Sequence, residues 1–541
     1  MPKKSALVII VFLCSTYQSA AQDFLALRDT LLMRDFTFIN NSDAWLTGRN
    51  AAALTCFQSP NISLGSLSET FGKGGWINYY QSDKTHETNA RIVSFHRLST
   101  RCMVYGEMSY RNLSGYHMTG SAFIDPTRRP FDIVEDSLTN PGKKHLDTYH
   151  LVGALGIDLW KGWSVGAKVN YTTANYAKYK DLRHKNKLMD LQATASFYIP
   201  VAQWISAGVT YDYHRNTESL RFSTYGKNDK TFMSLISYGA FIGQIEQFGN
   251  SGFTDSNNEQ PLFTESNGWG LQFQWNITPI LTFHNDFSVA SLHGYYGRKS
   301  PYTIVYTHHK GHLYTYSSRL QLHLKQHIHQ LNLCWEIENI ANYAEQYRQE
   351  SNGNNVFHYQ YYNALKTANK VWATTNMGYT GYWNIRKLLP TWNLRVNVRT
   401  FYRKQTSYYY PYYRRQQFIS IEENISGERN ILLSKGILTL NLGFAFIKGT
   451  GQPYEDGTFV KPSDKQSPPA SMDTWLYQEH GYLTAPQYKL GGGIKYAFRF
   501  PGTDMKTFIE TNALYHKTNV ANNARPSHSH TTLRMTLGCE F

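Results

Sequence analysis

The chain has 541 residues, of which 15% are aromatic and only 17% charged, with 40 tyrosines, 39 glycines and a formal net charge of +15. It is too aromatic and too weakly charged for a disordered chain, and five cysteines are too few for a disulfide scaffold. Mean hydropathy is −0.48, and beyond the N-terminus no apolar run approaches the ~20 residues of a membrane-spanning helix. A helical membrane protein is excluded. A β-barrel, which hides its apolar residues in alternation, is not.

The first residues read as an export signal. Lys3 and Lys4 precede an apolar core from Ala6 to Cys14, and the small residues Ser19 and Ala21 stand before Gln22. Residues 1–21 are therefore expected to be a secretory signal peptide. Leu13 argues against a lipoprotein signal at Cys14, which needs a small residue there. Cys56, Cys102, Cys334 and Cys539 are far apart and form no C-x-x-C pair, so neither a bound metal nor a disulfide is expected. Residues 22–61 do not alternate. Phe24, Leu25, Leu27, Leu31 and Leu32 have mixed helical spacing and precede Asn50-Ala51-Ala52-Ala53-Leu54. This stretch resembles the short N-terminal hatch of the long-chain fatty-acid transporter family, with Ala51 where that family's Asn-Pro-Ala-type turn has proline. The other reading is a periplasmic tail that packs beneath a barrel. Forty residues are too few for the large folded plug of energy-coupled receptors.

From residue 62 onward the pattern has period two. Trp269, Leu271, Phe273, Trp275 and Ile277 alternate with Gln272, Gln274 and Asn276. Trp392, Leu394, Val396 and Val398 alternate with Asn393, Arg395, Asn397 and Arg399, and Leu438 to Phe446 repeat the pattern. Such runs are strands with one apolar face. Tight connections at Lys161-Gly162, Thr278-Pro279, Leu389-Pro390, Lys435-Gly436 and Pro501-Gly502 take turns with long ones at 116–144, 224–267, 348–369 and 452–481. Barrels with short periplasmic turns and long outer loops have this rhythm. Strands are predicted at 62–80, 87–99, 102–115, 145–160, 163–181, 183–199, 204–223, 267–277 and 281–297. The second half follows at 311–326, 329–347, 370–386, 392–410, 417–434, 437–450, 482–500, 505–521 and 529–541. The count is eighteen; Gly72 to Trp76 interrupt the first pair, which makes sixteen the alternative. The predicted fold is all-β, a single antiparallel transmembrane barrel over 62–541 preceded by the short segment 22–61.

The last strand carries the most specific signal. Leu533, Met535, Leu537, Cys539 and Phe541 fall on one face, and Thr532, Arg534, Thr536, Gly538 and Glu540 on the other. A strand that ends the chain on an aromatic residue resembles the C-terminal assembly signal of bacterial outer-membrane barrels. Phe541 is therefore expected to engage the barrel-assembly machinery, and the protein to sit in the outer membrane of a Gram-negative bacterium, among its lipids.

Candidate sites follow from phase. The arginines 395, 399 and 403 share the polar face of one strand at ~13 Å intervals. Lys168, Arg319, Lys325, Lys495 and Arg499 are predicted to line the lumen with them, opposite acids such as Asp212, Asp286 and Glu338. The basic excess biases the lining towards anions, and the alternative is that these charges pair across strands and fill a closed lumen. Tyr408, Tyr409, Tyr410, Tyr412 and Tyr413 crowd a predicted outer loop, where rings beside Arg414 and Arg415 suit a sugar or a partner protein. Gly162-Trp163-Ser164-Val165-Gly166 matches the serine-hydrolase pattern but opens a strand rather than a strand-to-helix elbow, so no catalytic residue is predicted. His308, His309 and His312 gather in one predicted loop without a nearby carboxylate or thiolate, and no metal or other cofactor is assigned to them.

Signal cleavage before Gln22, abundant tyrosine and the terminal Phe541 are together similar to outer-membrane barrels of Bacteroidota, including a family of unassigned function. The resemblance implies location and architecture. The function expected is a channel or selective transporter for a small polar or anionic solute. The alternative is a barrel that anchors a surface complex, for instance with a lipoprotein, through its long loops. Export and a membrane address leave the basic charge without a nucleic-acid partner.

Overall fold

A computed structural model describes residues 31–135, 141–225, 231–247, 259–351, 357–500, 502–520 and 527–541; the expected signal peptide and Pro501 lie outside them. Eighteen antiparallel strands, from Ile62–Lys73 to Ser529–Glu540, pair in chain order around a closed barrel. The first strand bonds to the second, Leu67 opposite Ala90, and to the last, Leu67 opposite Leu537. The sheet therefore has no free edge. Each of the eighteen predicted strands has its counterpart in the wall, and sixteen is the wrong count. Gly72 stays in the first strand, which ends at Lys73, and 74–83 leave the wall for the lumen.

Alternation places each side chain. Trp269, Ile494, Met535 and Leu537 point outward and are more than half exposed. The opposite phase carries Gln272, Asp286, Arg403 and Glu540, which are buried inside. Several strands run further towards the long loops than predicted, as in Gln260–Thr278 and Val305–His323. Past the apolar band the outward positions become polar, as at Glu265 and Asn267, while the backbone ladder continues (Glu265 opposite His293). Hydrophobic alternation fades there before hydrogen bonding does. The hairpin of Tyr412–Leu433 and Gly436–Thr458 extends furthest, and beyond Ile447 its second strand has a partner on one side only.

Three of the four long connections predicted as outer loops turn inward. Asp132–Glu135, Met233–Gly239, Ile242–Gln247 and Ala470–Ser471 form a small sheet at that mouth, beside the helix Asp473–Thr484. Phe123, Phe131, Ile133 and Ile236 pack there against Leu220, Phe222, Leu262 and Tyr296 of the wall. The remaining connection keeps its hairpin, Tyr347–Ser351 with Phe357–Tyr361, largely exposed.

The end of the chain completes the closure. Ser63 N donates to the Phe541 carbonyl (2.9 Å) and Phe541 N donates to Ser63 O (3.1 Å). Deleting Phe541 removes both bonds and the terminal aromatic ring. The expected result is a lower yield of folded, heat-modifiable protein in the membrane fraction; an unchanged yield would show that the seam closes without it.

Candidate functional site: the occluded lumen

Residues 31–57 cross the lumen at the tight-turn end. Asp35, Asp43 and Asn50 cap three short helical pieces, Phe36–Ser42, Ala44–Thr47 and Ala51–Cys56, each side chain accepting from a backbone N–H. Phe36, Ile39, Leu54 and Phe57 bury against Ile62, Val93, Phe95 and Met103, with Phe57 stacked on Phe95 at 5.0 Å. Wall side chains satisfy the carbonyls at the first helix's C-terminal end. Arg319 Nη1 donates to Asn41 O (3.1 Å) and Gln321 Nε2 to Ser42 O (2.7 Å). Arg49 reaches further up the lumen, donating to Asp286 (3.1 Å), Ser288 (2.7 Å) and Thr315 (2.8 Å).

The wall is shaped to receive this segment. A Cβ on Gly166 would lie 2.2 Å from Ala52 N, and one on Gly156 2.6 Å from Ala51 O. Only glycine admits the backbone that closely. Ser164, from the hydrolase-like pattern, lies under the same turn and shares a hydrogen bond with Thr55 (2.9 Å).

The loops at the opposite end bring counter-ions of both signs to the wall, with Arg129 meeting Glu218 (2.6 Å). Glu135 meets Lys144 (2.5 Å) and Lys178, all three buried. Burial alone would raise its carboxyl, yet the two lysines hold it below the usual range. Glu479, on the loop helix, accepts both terminal nitrogens of Arg403 at 2.9 and 2.5 Å, and the guanidinium also lies over Phe418 (4.6 Å). Arg414 donates to Asp456 (2.7 Å) and Asp473 (3.1 Å). Asp132 accepts from Ser121 (2.6 Å) and Tyr79 (2.9 Å), and burial pushes its carboxyl up to about 6 despite those bonds.

Between the two plugs the lumen keeps cavities with charged side chains in their lining. One of 480 Å³ is lined by Arg395, Glu428, Asn441, Asn512 and Arg534. Higher on the same wall, 330 Å³ lie beside Arg399, Glu422 and Lys489. Opposite, 670 Å³ lie beside Glu87, Arg111 and Lys144, and Thr127 and Tyr482 border both upper cavities.

The predicted residues thus separate. Arg395 and Arg399 line cavities, whereas Arg403 is sealed beneath Glu479. Lys168 has the inward phase near Asp212 and Glu107, and Lys495 lies over the Phe508 ring at 4.2 Å. Arg319 anchors the N-terminal segment. Two placements need correction. Lys325 sits exposed in the turn after His323, because that strand ends earlier than predicted. Arg499 stays at the rim, paired with Asp504 (2.5 Å). The tyrosine run is a tight hairpin end rather than a loop: Tyr409 opposes Tyr412 across Tyr410-Pro411. Tyr408 and Tyr413 pack on Phe459, and Tyr412 Oη donates to Gln466 O (2.9 Å). His308, His309 and His312 lie on a strand, with His309 buried inside and His312 exposed. Among the described residues no group of three His, Cys, Asp or Glu could hold a metal ion. Sequence reasoning missed Arg49, Glu135 and Glu479, which stand in segments without alternation.

Two outcomes follow. Breaking the buried Arg403–Glu479 pair by R403Q leaves Glu479 unmatched and should cost about 3–5 kcal/mol of loop docking, read as a lower melting temperature. Protonated Asp132 favours the docked sheet, a contribution full below the ordinary carboxylate range and lost as pH rises through about 6. Melting temperature should therefore fall from pH 5 to 7.5 by more in the native chain than in D132N.

The barrel is similar to several solved structures. The ferripyoverdine receptor of the outer membrane of Pseudomonas aeruginosa shares 10% identity, covering 90% of this chain and 72% of that one at a TM-score of 0.40. The outer membrane transporter YddB from Escherichia coli shares 8%, covering 90% and 81%, also at 0.40. The toluene transporter TodX from Pseudomonas putida shares 10%, covering 91% and 92% at 0.26. No curated protein matches the chain in sequence. A family model matches residues 51–541, and the chain belongs to that family of unknown function, DUF6850.

Proposed function

We propose that the protein is a gated outer-membrane transporter, in its closed state, for a small polar or anionic solute. The outward apolar band supports the membrane address, because a monomer in water rarely exposes apolar patches beyond a few hundred Å². The observation that carries transport is the set of cavities with charged side chains in their lining, between two plugs made of separate chain segments. Arg395, Arg399 and Arg534 give those cavities cations that no plug covers as Glu479 covers Arg403, whereas Lys489 pairs with Glu422 of the wall (3.0 Å). Residues 31–57 close the tight-turn end, and the inward loops close the other. Passage requires both to move. No catalytic role is assigned, and Phe541 is the residue offered to the assembly machinery. One observation favours the second reading, a barrel that anchors a surface complex: Tyr409 and Tyr410 stand exposed at the tip of their hairpin.

Planar-bilayer recording separates the two. The native chain should show no steady conductance, while deleting 31–57, or the gentler R49A with R319A, should open discrete channels. In that open background, replacing Arg395, Arg399 and Arg534 by Gln should shift selectivity towards cations. An inserted, heat-modifiable barrel that stays silent without its N-terminal segment would defeat the transporter reading and leave the anchor.

A further inference from the structure

We infer that the long-loop end of the barrel carries an outward collar that binds the phosphate groups of phosphorylated glycolipid in the surrounding leaflet. The inference rests on the membrane reading above and adds a lipid partner to it. The collar begins where the apolar band stops. On one strand the outward residues Leu438, Leu440, Leu442, Phe444 and Phe446 are followed by exposed Lys448, about 7 Å further along. The same succession recurs around the wall, and the cations it presents rest on outward aromatic rings. Arg215 lies over Phe263 (5.0 Å), Lys310 over Tyr343 (5.5 Å) and Arg415 over Tyr413 (4.6 Å). Lys84 and Lys143 share one ring, at 5.3 and 5.5 Å from the centre of Tyr116.

These five cations are exposed, and none pairs with a carboxylate among the described residues. Glu265 and Glu455 stand opposite Arg215 and Arg415 in the ladder without closing an ion pair among the described residues, and other outward carboxylates are engaged elsewhere. Asp147 accepts from Tyr110 (2.7 Å) and Asn112 (2.8 Å), Glu345 meets His308, and Glu69 meets His86 (2.8 Å). A cation held flat against a ring at the band's edge keeps its stem in apolar surroundings and its charge at headgroup depth. The two ammonium groups reach the Tyr116 ring from the strands on either side and bring it two positive charges, the number that a phosphate monoester carries in opposite sign. A neutral headgroup would leave them without a counter-ion. The chemistry favoured is therefore a glycolipid with monoester phosphates.

The test uses the full-length protein in vesicles of neutral phosphatidylcholine, with or without bis-phosphorylated lipid A, followed by extraction and native mass spectrometry. The native chain should retain the glycolipid, and retention should fall as ionic strength rises. The variant K84Q/K143Q/R215Q/K310Q/R415Q should lose about three-thousandfold, at roughly fivefold per cation near an anionic surface. The milder K84Q/K143Q should lose about twenty-five-fold on the same arithmetic. Equal retention by the variants, or of a dephosphorylated glycolipid, would overturn the collar. Displacement by an equal concentration of inorganic phosphate would also overturn it, as a free-anion site. Insertion into neither kind of vesicle would sink the membrane reading itself, a result distinct from insertion into both without selective retention.

Discussion

An eighteen-strand barrel is wider than its own inward side chains can fill. The interior of this protein is a response to that width. The inward side chains leave room, and the chain supplies the missing matter from its N-terminal segment and from three of its loops. What enters must satisfy a lining that alternation has made polar. Each plug therefore arrives with hydrogen-bonding groups and charges, as well as apolar bulk.

The plugs answer the charges of the wall with charges of both signs. In the N-terminal plug Arg49 meets Asp212 (3.5 Å) and Asp286 (3.1 Å), while Arg319 of the wall donates to the carbonyl of Asn41 (3.1 Å). At the other end Glu135 meets Lys144 and Lys178 and Glu479 meets Arg403, while Arg129 of the plug meets Glu218 of the wall (2.6 Å). Charges buried in this way are costly unless matched. The matches give each plug a definite seat, while apolar clusters such as Phe57 on Phe95 give it adhesion.

The wall was legible in the sequence and the plugs were not, for one physical reason. A strand between lipid and lumen must alternate, so Trp392 to Arg403 declares its phase residue by residue. A plug packs on several strands at once and has no period to display. Arg49 and Glu479 therefore look like ordinary charges in irregular or helical stretches, and only their placement reveals them. Strand ends were misjudged where the outward face turns polar, which put Lys325 inside a strand when it belongs to a turn. The same effect made a loop of the tyrosine run, because Tyr412 to Gln417 are amphipathic and show no hydrophobic alternation although their ladder is complete.

The glycines that seat the N-terminal turn have a consequence for the path past it. Ala51 to Cys56 press against strands Gly142–Trp160 and Trp163–Lys178, and the 480 Å³ cavity opens along the strands that carry Arg395 and Arg534. At that depth the lumen has a filled side and a vacant side. Its effective bore is the gap between one wall and a strapped peptide, so strand number does not set it. Replacing Gly166 by a larger residue would push the strap towards Arg395 and narrow the gap, although the barrel itself would keep its circumference. Calibre in this protein is tuned by the residues behind the plug.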